Sequence, residues 1–303
     1  MVENTITNNN TRISVAMCSY NGEKYMEEQL ESIINQTVKV SEIIICDDCS
    51  NDGTGKILND YQARYPELMR VIHNEINLGY VKNFEKAIIN CTGDIIFLSD
   101  QDDVWRPDKV EKITNKFHAD EEVTCVFSNA KVGRNTSEDT GRKLWDQVAF
   151  TEEKRRKFSE GEYLQQLIMR NVVTGATMAF KGSMVNHIVP IPEKVVHDAW
   201  ISFICALYGK IKIIDEPLIL YRQHENQQIG ATTDIITKIK KARTEKGISI
   251  LQNAESSNCI LEKLIEYKKG NELEDEIIRL ARDRYNFFHF RLENKKKSFK
   301  SYL

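Results

Sequence analysis

The sequence is poor in proline and glycine, which number 5 and 14 among 303 residues. This scarcity excludes collagen-like chains and proline-rich disordered proteins. Long apolar runs are also missing: the longest nearly apolar stretch, residues 199–208, is much shorter than the roughly 18 residues that a membrane-spanning helix needs. The net charge is only −3, so the chain has no strong positive field, and we expect no nucleic-acid partner.

The first residues lack both the basic and the apolar segment of a secretion signal. The 7 cysteines are an odd number, which favours reduced thiols over a disulfide framework. These features predict a cytoplasmic protein in which the polar residues 1–11 form a disordered N-terminus.

Several motifs of common enzyme classes are absent from the sequence. No G-x-G-x-x-G follows the first predicted strand, and no G-x-x-x-x-G-K-[ST] occurs, which argues against dinucleotide-binding and P-loop enzymes. The G-x-S-x-G of α/β-hydrolases is missing as well. Cys46 and Cys49 form a C-x-x-C without a second pair, so a four-thiolate zinc site is not expected.

Short β-branched runs alternate with amphipathic segments in the first hundred residues. Strands are predicted at 13–18, 42–46, 69–73 and 94–98, with helices at 23–34, 54–65 and 80–90. This alternation favours an α/β fold, with a mainly parallel sheet and helices on both faces. Later segments predict strands at 123–128, 176–181, 211–214 and 218–221, a mobile loop at 133–158, and a helix at 198–208.

The charge balance changes near Gly230. Residues 231–303 hold 16 basic and 11 acidic side chains, whereas residues 1–230 hold 26 and 34. The change predicts a domain at 12–230 and a C-terminal helical region at 231–303. Three roles are open for this region: a cap packed on the domain, a peripheral contact with an anionic membrane, or a surface for self-association into a homo-oligomer.

Acidic residues follow two of the predicted strands. Asp47 and Asp48 end the second strand, and Asp100, Asp102 and Asp103 follow the fourth. Ligands of such sheets bind at the carboxyl ends of the strands. Closely spaced carboxylates repel one another unless water or a cation compensates, and Mg²⁺ is often held by one or two carboxylates together with substrate phosphates. The cluster after the fourth strand therefore predicts a divalent metal site.

Two later segments add candidates. Asp198 precedes an apolar helix, where a carboxylate is either an N-cap or a general base, and the sequence leaves these readings equal. Arg222 and His224 end a β-like run. An arginine there suits a phosphate, and a histidine suits a metal or a phosphate.

Taken in order, the motifs resemble the family 2 glycosyltransferases of the GT-A fold over about residues 13–230. The matching segments are Ser19–Glu23 for the opening loop, Asp47–Thr54 for D-D-x-S-x-D-G-T, Asn77–Gly79 for N-x-G and Asp100–Asp102 for D-x-D. His197–Asp198 stands at the family's acidic pair, with His in place of the usual Glu. Leu98–Trp105 and Tyr221–His224 are most similar to the rhamnosyltransferase branch.

The resemblance implies an inverting, metal-dependent glycosyltransferase with a GT-A domain. Its donor would be dTDP-rhamnose or a UDP-sugar, and its acceptor a hydroxyl of a glycan or lipid-linked molecule in cell-surface polysaccharide synthesis. The missing Q-x-x-R-W box of processive synthases implies that one sugar, or a few, is added. The location implied is the cytoplasm, with peripheral contact at the inner face of the cell membrane.

The resemblance also implies a role for each matching residue. Expected at the donor nucleotide are Ser19, Tyr20, Asn21, Glu23, Asp47, Asp48, Lys82, Asp100 and Gln101. Expected at a Mg²⁺ or Mn²⁺ ion are Asp100, Asp102 and His224, with Arg222 at the phosphates. Asp198 would be the catalytic base, and the acceptor would meet Trp105, Thr174, Gly175, His197 and Trp200, the two tryptophans by stacking on sugar rings.

Two other classes compete with this interpretation. A sugar nucleotidyltransferase would share the sheet but carry a glycine-rich loop with Arg or Lys after the first strand, which Ser19–Gly22 is not. A non-catalytic sugar-nucleotide binder would lose Asp102 or Asp198, and both are present.

Overall fold

The computed structural model describes residues 11–133, 140–224 and 235–300, without the side chains of 235–249 and 295–300. The first half alternates strands and helices as β1 (Ile13–Ser19), α1 (Met26–Ile34), β2 (Glu42–Asp47), α2 (Thr54–Arg64), β3 (Met69–His73), α3 (Gly79–Ile89) and β4 (Ile95–Ser99). The second half continues with β5 (Val104–Trp105), α4 (Lys109–Ala119), β6 (Val123–Gly133), α5 (Leu144–Gln147), α6 (Glu152–Lys157), α7 (Tyr163–Met169), β7 (Met178–Lys181), α8 (Val185–Ile188), α9 (His197–Tyr208), β8 (Lys210–Arg222), α10 (Ile235–Lys268) and α11 (Asp275–Lys300).

The strands form one sheet in the order β3-β2-β1-β4-β7-β6-β8-β5. β1 pairs in parallel with β2 and β4, β2 with β3, and β6 with β8, whereas β7 runs antiparallel between β4 and β6. The predicted mainly parallel sheet is therefore confirmed. Its parallel strands carry the ends of β1, β2 and β4 to one edge, where the polar segments of the sequence meet.

Both faces of the sheet are buried. Along β1, Ala16 and Cys18 belong to the core on one face, and Val15 and Met17 to the core on the other. Successive side chains of a strand point to opposite faces, so a continuous apolar run fills two cores at once. This explains why residues 15–18 of β1 form an unbroken hydrophobic run rather than an alternation of polar and apolar residues.

Two predictions for the middle of the chain are wrong. The described part of the expected loop 133–158 is mainly helical and is anchored by Trp145, Phe150 and Phe158, which are at most 1% exposed. Aromatic anchors without a regular period leave little periodic signal in a charged segment. The two strands expected at 211–214 and 218–221 form a single strand, β8. It pairs in parallel with β6, and the pairing contains register shifts.

The C-terminal helices pack against the α/β domain. Leu264 of α10 and Ile277 and Ala281 of α11 lie in the same buried cluster as α7 and α9, and Arg284 donates to the carbonyl of Ile168. No helix within the described ranges is both long and apolar enough to cross a membrane. The predicted boundary near residue 230 lies outside the described residues, as do residues 1–10 of the predicted disordered segment 1–11; Thr11 is described and contacts His118.

Candidate active site

A cavity of about 390 Å³ lies at the carboxyl ends of β1 and β4. Twelve of the residues that the sequence singled out line it: Ser19, Tyr20, Asn21, Asp48, Asp100, Gln101, Asp102, Thr174, Gly175, His197, Asp198 and His224. They come from six separate parts of the chain, and the parallel strands bring most of them to one edge of the sheet.

The loop after β1 is clamped by the loop after β4. Tyr20 N donates to Gln101 Oε1 at 2.7 Å, and Gln101 Nε2 donates to Tyr20 O at 3.0 Å. Gly22 lies against the same side chain, since a Cβ there would stand 2.4 Å from Gln101 Oε1. Asn21 has φ 50°, and its Oδ1 accepts from Asn51 N at 2.9 Å. The wall beside Tyr20 is therefore held by loops from β1, β2 and β4.

Asp48 is fixed by the start of α3. Its carboxylate accepts from Leu78 N at 2.7 Å, Gly79 N at 2.9 Å and Asn74 Nδ2 at 2.8 Å. The first amides of a helix have no partner within the helix, and a carboxylate there satisfies them. The Asn77–Gly79 turn thus holds Asp48 at the cavity wall.

Two acidic residues expected at the donor brace these loops from behind. Asp47 is 3% exposed and accepts from the hydroxyls of Ser19 at 2.8 Å and Ser50 at 2.5 Å. Glu23 accepts from Gly53 N at 2.5 Å. Neither lines the cavity, so both support the loops that do.

Two basic side chains expected at the donor are engaged elsewhere. Lys82 pairs with Glu85 at 3.0 Å and lies outside the cavity lining. Arg222 is 3% exposed, pairs with Glu28 at 2.7 Å, and donates to the carbonyl of Asp102 at 2.7 Å. A guanidinium held by these groups braces the acidic loop, which corrects the expected contact of Arg222 with phosphate.

The stacking role expected of two tryptophans is wrong. Trp105 is 2% exposed, and its ring centroid lies 3.6 Å from Lys109 Nζ. Trp200 is 6% exposed, and its indole N–H donates to the carbonyl of Ile188 at 2.8 Å. Both rings belong to the core, so neither presents a face to a sugar.

The acidic loop after β4 presents two carboxylates to the cavity. Burial, and then the charges of Asp102 and Asp198, raise the pKa of Asp100 to about 7. Asp102 Oδ2 lies 2.7 Å from His224 Nε2. The carboxylate of Asp100 has no hydrogen-bond partner among the described residues.

These residues fit a divalent cation that shares its shell with a substrate. The described ranges hold no group of three or more His, Cys, Asp or Glu side chains arranged around one metal position. Asp100 and Asp102 nevertheless supply hard oxygen donors in one cavity, and the unpartnered Asp100 is the kind of group that a cation would compensate. Mg²⁺ is usually bound in this way, by one or two carboxylates with phosphates and water completing the shell.

Asp198 faces the cavity from the first turn of α9. The helix begins at His197, so Asp198 lies inside it rather than at its cap. Its carboxylate accepts from Asn171 Nδ2 at 2.9 Å and from Gly175 N at 3.1 Å. Burial raises the pKa of Asp198 to about 6 although these hydrogen bonds oppose the shift. Such a carboxylate is ionised at neutral pH and still accepts a proton readily.

His197 is a neutral polar group in an apolar setting. Its ring stacks on Phe84 with centroids 4.1 Å apart and meets the edge of Tyr80 at 6.0 Å. Burial lowers the pKa of His197 to about 3. Neither ring nitrogen has a hydrogen-bond partner among the described residues. The imidazole is therefore a buried, neutral group behind the cavity wall, with no described partner for its donor or its acceptor.

Six lining residues were not singled out by the sequence: Cys18, Tyr80, Asn83, Phe84, Val196 and Tyr221. Tyr80, Asn83 and Phe84 recur at helical spacing on α3, directly after the N-x-G turn. That turn was a usable signal, because it marks where a helix starts at the edge that binds ligands.

Comparison with known proteins agrees with this geometry. The family model described as "Glycosyl transferase family 2" matches residues 14–184. The chain is 30% identical over 236 residues to the dTDP-rhamnosyl transferase RfbG of Shigella flexneri, an alignment that covers 74% of this chain and 77% of that protein.

Solved structures share the fold. Residues 1–349 of S. aureus TarS in complex with UDP-GlcNAc superpose with a TM-score of 0.61 at 17% identity, covering 90% of this chain and 72% of that one. The mannosyltransferase PcManGT of Pyrobaculum calidifontis, in complex with GDP-Man and Mn²⁺, gives 0.57 at 14% identity, covering 96% and 74%. The expected GT-A fold is confirmed. Since the family model spans more than half of the chain, this protein belongs to glycosyl transferase family 2 and is a glycosyltransferase.

Proposed function

We propose that this enzyme transfers one sugar from a nucleoside-diphosphate sugar to a hydroxyl of a glycan or lipid-linked acceptor, inverting the anomeric configuration, in the synthesis of a cell-surface polysaccharide. One observation carries the proposal: the cavity that holds Asp100 and Asp102 also holds Asp198, a buried carboxylate whose pKa burial raises to about 6. A single site thus offers oxygen ligands for a diphosphate-bound cation and a base for an acceptor.

The donor in this proposal is dTDP-rhamnose or a UDP-sugar. The name of the relative RfbG includes dTDP-rhamnosyl, and TarS is solved with UDP-GlcNAc. The base and ribose bind between Ser19, Tyr20, Asn21 and Asp48, which all line the cavity, and Gln101 fixes the backbone of Tyr20 beside them. Asp47 and Glu23 act indirectly, by holding these loops.

A Mg²⁺ or Mn²⁺ ion is bound in this proposal by Asp100 and Asp102, with His224 beside them. When bound, such an ion neutralises charge on the departing nucleoside diphosphate. The protein's part is to hold the two carboxylates at one wall, where Arg222 donates to the backbone carbonyl of Asp102 and His224 contacts its carboxylate.

Asp198 accepts the proton of the acceptor hydroxyl as its oxygen attacks the anomeric carbon. The attack comes from the side opposite the diphosphate, so a single displacement inverts that centre. Asn171 and Gly175 hold the carboxylate in one orientation, which reduces the reorganisation needed at the moment of attack. Burial also excludes water that would compete as the acceptor.

The acceptor lies against Thr174, Gly175 and His197. Gly175 leaves the room that a side chain would fill, since a Cβ there would stand 2.8 Å from His197 Nε2. The neutral imidazole behind Gly175 adds no charge to this wall. This chemistry suits an uncharged glycan hydroxyl.

The two competing classes are less well supported. Family membership favours transfer over nucleotidyl chemistry. Asp102 and Asp198 both line the cavity, as a catalytic protein requires and a mere binder does not.

The enzyme works, in this proposal, in the cytoplasm at the inner face of the cell membrane. Phe287 and Phe290 of α11 are 53% and 66% exposed, and the basic segment 295–300 follows them on the same helix. Exposed aromatic side chains beside lysines suit the surface of an anionic bilayer. A lipid-linked acceptor would wait at that surface.

A screen of nucleotide sugars tests the proposal. We expect dTDP-rhamnose or a UDP-sugar to raise the melting temperature in the presence of Mn²⁺, and the same donor to be consumed when an acceptor is added. Excess chelator should abolish transfer and weaken the shift, and added Mn²⁺ or Mg²⁺ should restore both. Full transfer in excess chelator would contradict the role of Asp100 and Asp102, and the absence of binding by every donor would contradict the function.

A further inference from the structure

A lysine is buried beneath the active site. Lys109 is fully inaccessible, begins α4, and lies with its Nζ 3.6 Å from the ring centroid of Trp105. Nζ donates to the carbonyl of Ala176 at 2.8 Å, which is its one hydrogen bond to a described residue. Burial of this kind is unfavourable for an amino group and needs compensation.

Carboxylates of the acidic loop provide part of that compensation through space. Burial lowers the pKa of Lys109 well below its ordinary value, while the nearby charges of Asp103 and Asp100 oppose the shift. Asp103 is itself fully buried; its Oδ1 accepts from Arg222 N at 3.0 Å, and its Oδ2 has no described partner. Lys109 therefore lies between the acidic loop and the segment that carries Ala176.

That segment contacts the catalytic base. Ala176 is the middle residue of the short helical turn Gly175–Thr177, which is closed by Thr177 N donating to Thr174 O at 2.9 Å. Gly175 N donates to the carboxylate of Asp198 at 3.1 Å. Thr174 and Gly175 both line the cavity. One side chain thus connects the acidic loop, through this turn, to the base.

We propose that Lys109 is a positioning residue, whose amino group holds the Gly175–Thr177 turn and through it sets the orientation of Asp198 relative to the acidic loop. The inference rests on the proposed function for its kinetic consequence, but the hold on the turn is a property of the protein alone. It also gives Trp105 a purpose: its ring forms the floor on which the amino group lies.

The test compares Lys109→Met with Lys116→Met, a change on the exposed face of the same helix. Methionine fills the lysine's space without a donor, so we expect a folded protein. Hydrogen–deuterium exchange in the peptide containing residues 174–177 should become at least several-fold faster in Lys109→Met and stay unchanged in Lys116→Met. In the same variant kcat should fall about tenfold or more, with the affinity for UDP or dTDP within about twofold of the parent.

A second variant separates positioning from charge balance. Lys109→Met/Asp103→Asn removes the uncompensated buried carboxylate, so it keeps the test decisive if the single variant unfolds. We expect exchange at residues 174–177 to remain fast and kcat to remain low. Unchanged exchange in the single variant, or parental exchange and kcat in the double variant, overturns the proposal. If the parent transfers no sugar at all, the proposed function fails, whereas faster exchange would still support the hold of Lys109 on the turn.

Discussion

Two buried carboxylates of the cavity have different surroundings. Asp48 accepts three hydrogen bonds from Leu78, Gly79 and Asn74, which bind it as a fixed part of the wall. Asp198 also accepts hydrogen bonds, from Asn171 at 2.9 Å and Gly175 at 3.1 Å among others, yet burial outweighs them and raises its pKa to about 6. A group already held by several donors is suited to recognition, whereas one with a raised pKa is suited to accept a proton.

Replacing Asp198 tests the base directly. We expect Asp198→Asn to cut kcat by roughly 10²-fold or more, because the amide cannot accept the acceptor's proton. Affinity for the nucleoside diphosphate should remain near the parent value, measured by calorimetry. Asp60→Asn, at an exposed carboxylate on α2, serves as the matched control and should leave kcat unchanged. Near-normal turnover in Asp198→Asn would rule out the assignment.

The pH dependence of the rate follows from the same carboxylate. The active form is the ionised one, so the rate should fall as the pH drops below the pKa of Asp198 and level off above it. Burial raises that pKa from 3.8 to about 6. We therefore expect the acid limb of kcat/KM to have its midpoint near 6, measured with saturating metal. A midpoint near 4, typical of an exposed carboxyl group, would contradict a buried base.

Residue types were easier to predict from the sequence than residue exposure. Polar side chains at strand ends were located correctly because the strand pattern itself places them at one edge. The predicted stacking of Trp105 and Trp200 on sugar rings is wrong, because both side chains are buried. From the sequence alone, a tryptophan near a motif cannot be assigned to the core or to a binding surface. Nothing in the sequence shows that Lys109 lies against the ring of Trp105, or that the carbonyl of Ile188 accepts a hydrogen bond from Trp200.

At the scale of elements, the site depends on loops that brace one another. The loop after β1 meets the loop after β4 through Tyr20 and Gln101, and the loop after β2 through Asn21 and Asn51. A change in one loop should therefore shift the others and lower the affinity for the donor nucleotide, although none of these contacts takes part in bond formation in the proposed mechanism.

Gly22→Ala is the sharpest test of this bracing. The new methyl group would stand 2.4 Å from Gln101 Oε1, so the clamp on Tyr20 must shift. We expect the affinity for the donor nucleotide to fall about tenfold while kcat at saturating donor changes much less. Gly55→Ala is the control, since its Cβ meets only His73 Cε1, at 3.9 Å, and alanine favours the helix α2. Equal nucleotide affinities in the two variants would argue against the clamp.

Elements with a regular period were predicted well, and those without one were not. β3 was predicted with its observed bounds, residues 69–73. The sequence predicts a loop at 133–158, because charged residues surround the three buried aromatic side chains Trp145, Phe150 and Phe158. β8 was split in two because the exposed Asp215 and Glu216 interrupt its apolar pattern, whereas pairing with β6 continues across them.

At the scale of the whole molecule, the C-terminal helices combine packing with exposed apolar surface. Leu264 and Ile277 are buried against the domain, as predicted for a cap packed on it, while Phe287 and Phe290 are exposed. Both observations are compatible with a helical pair that is anchored on the enzyme at one face and contacts a bilayer with another.

Vesicle co-sedimentation tests the membrane contact. The full chain should bind anionic vesicles at low salt, because each basic residue near such a surface contributes about 1 kcal/mol. A truncation before Lys295, and separately Phe287→Ser/Phe290→Ser, should each lose most of the binding, and high salt should weaken it. Ile76→Ser, at a side chain 68% exposed on the other part of the molecule, is the control. Equal binding by the full chain and the truncation, or none by either, contradicts an anchor in the last residues.

The sequence by itself determined the mainly parallel sheet, the family, and the carboxylates gathered at the strand ends, because periodicity and motif spacing are local properties of the chain. Only the tertiary structure decided which of those groups share a cavity. Burial and pairing depend on what packs against a side chain from distant parts of the chain: Asp198 acquires its raised pKa, Arg222 its partner Glu28, and Lys109 its contact with Ala176 in this way. No local pattern encodes these contacts, since each joins residues at least 60 positions apart or depends on the packing of the whole core.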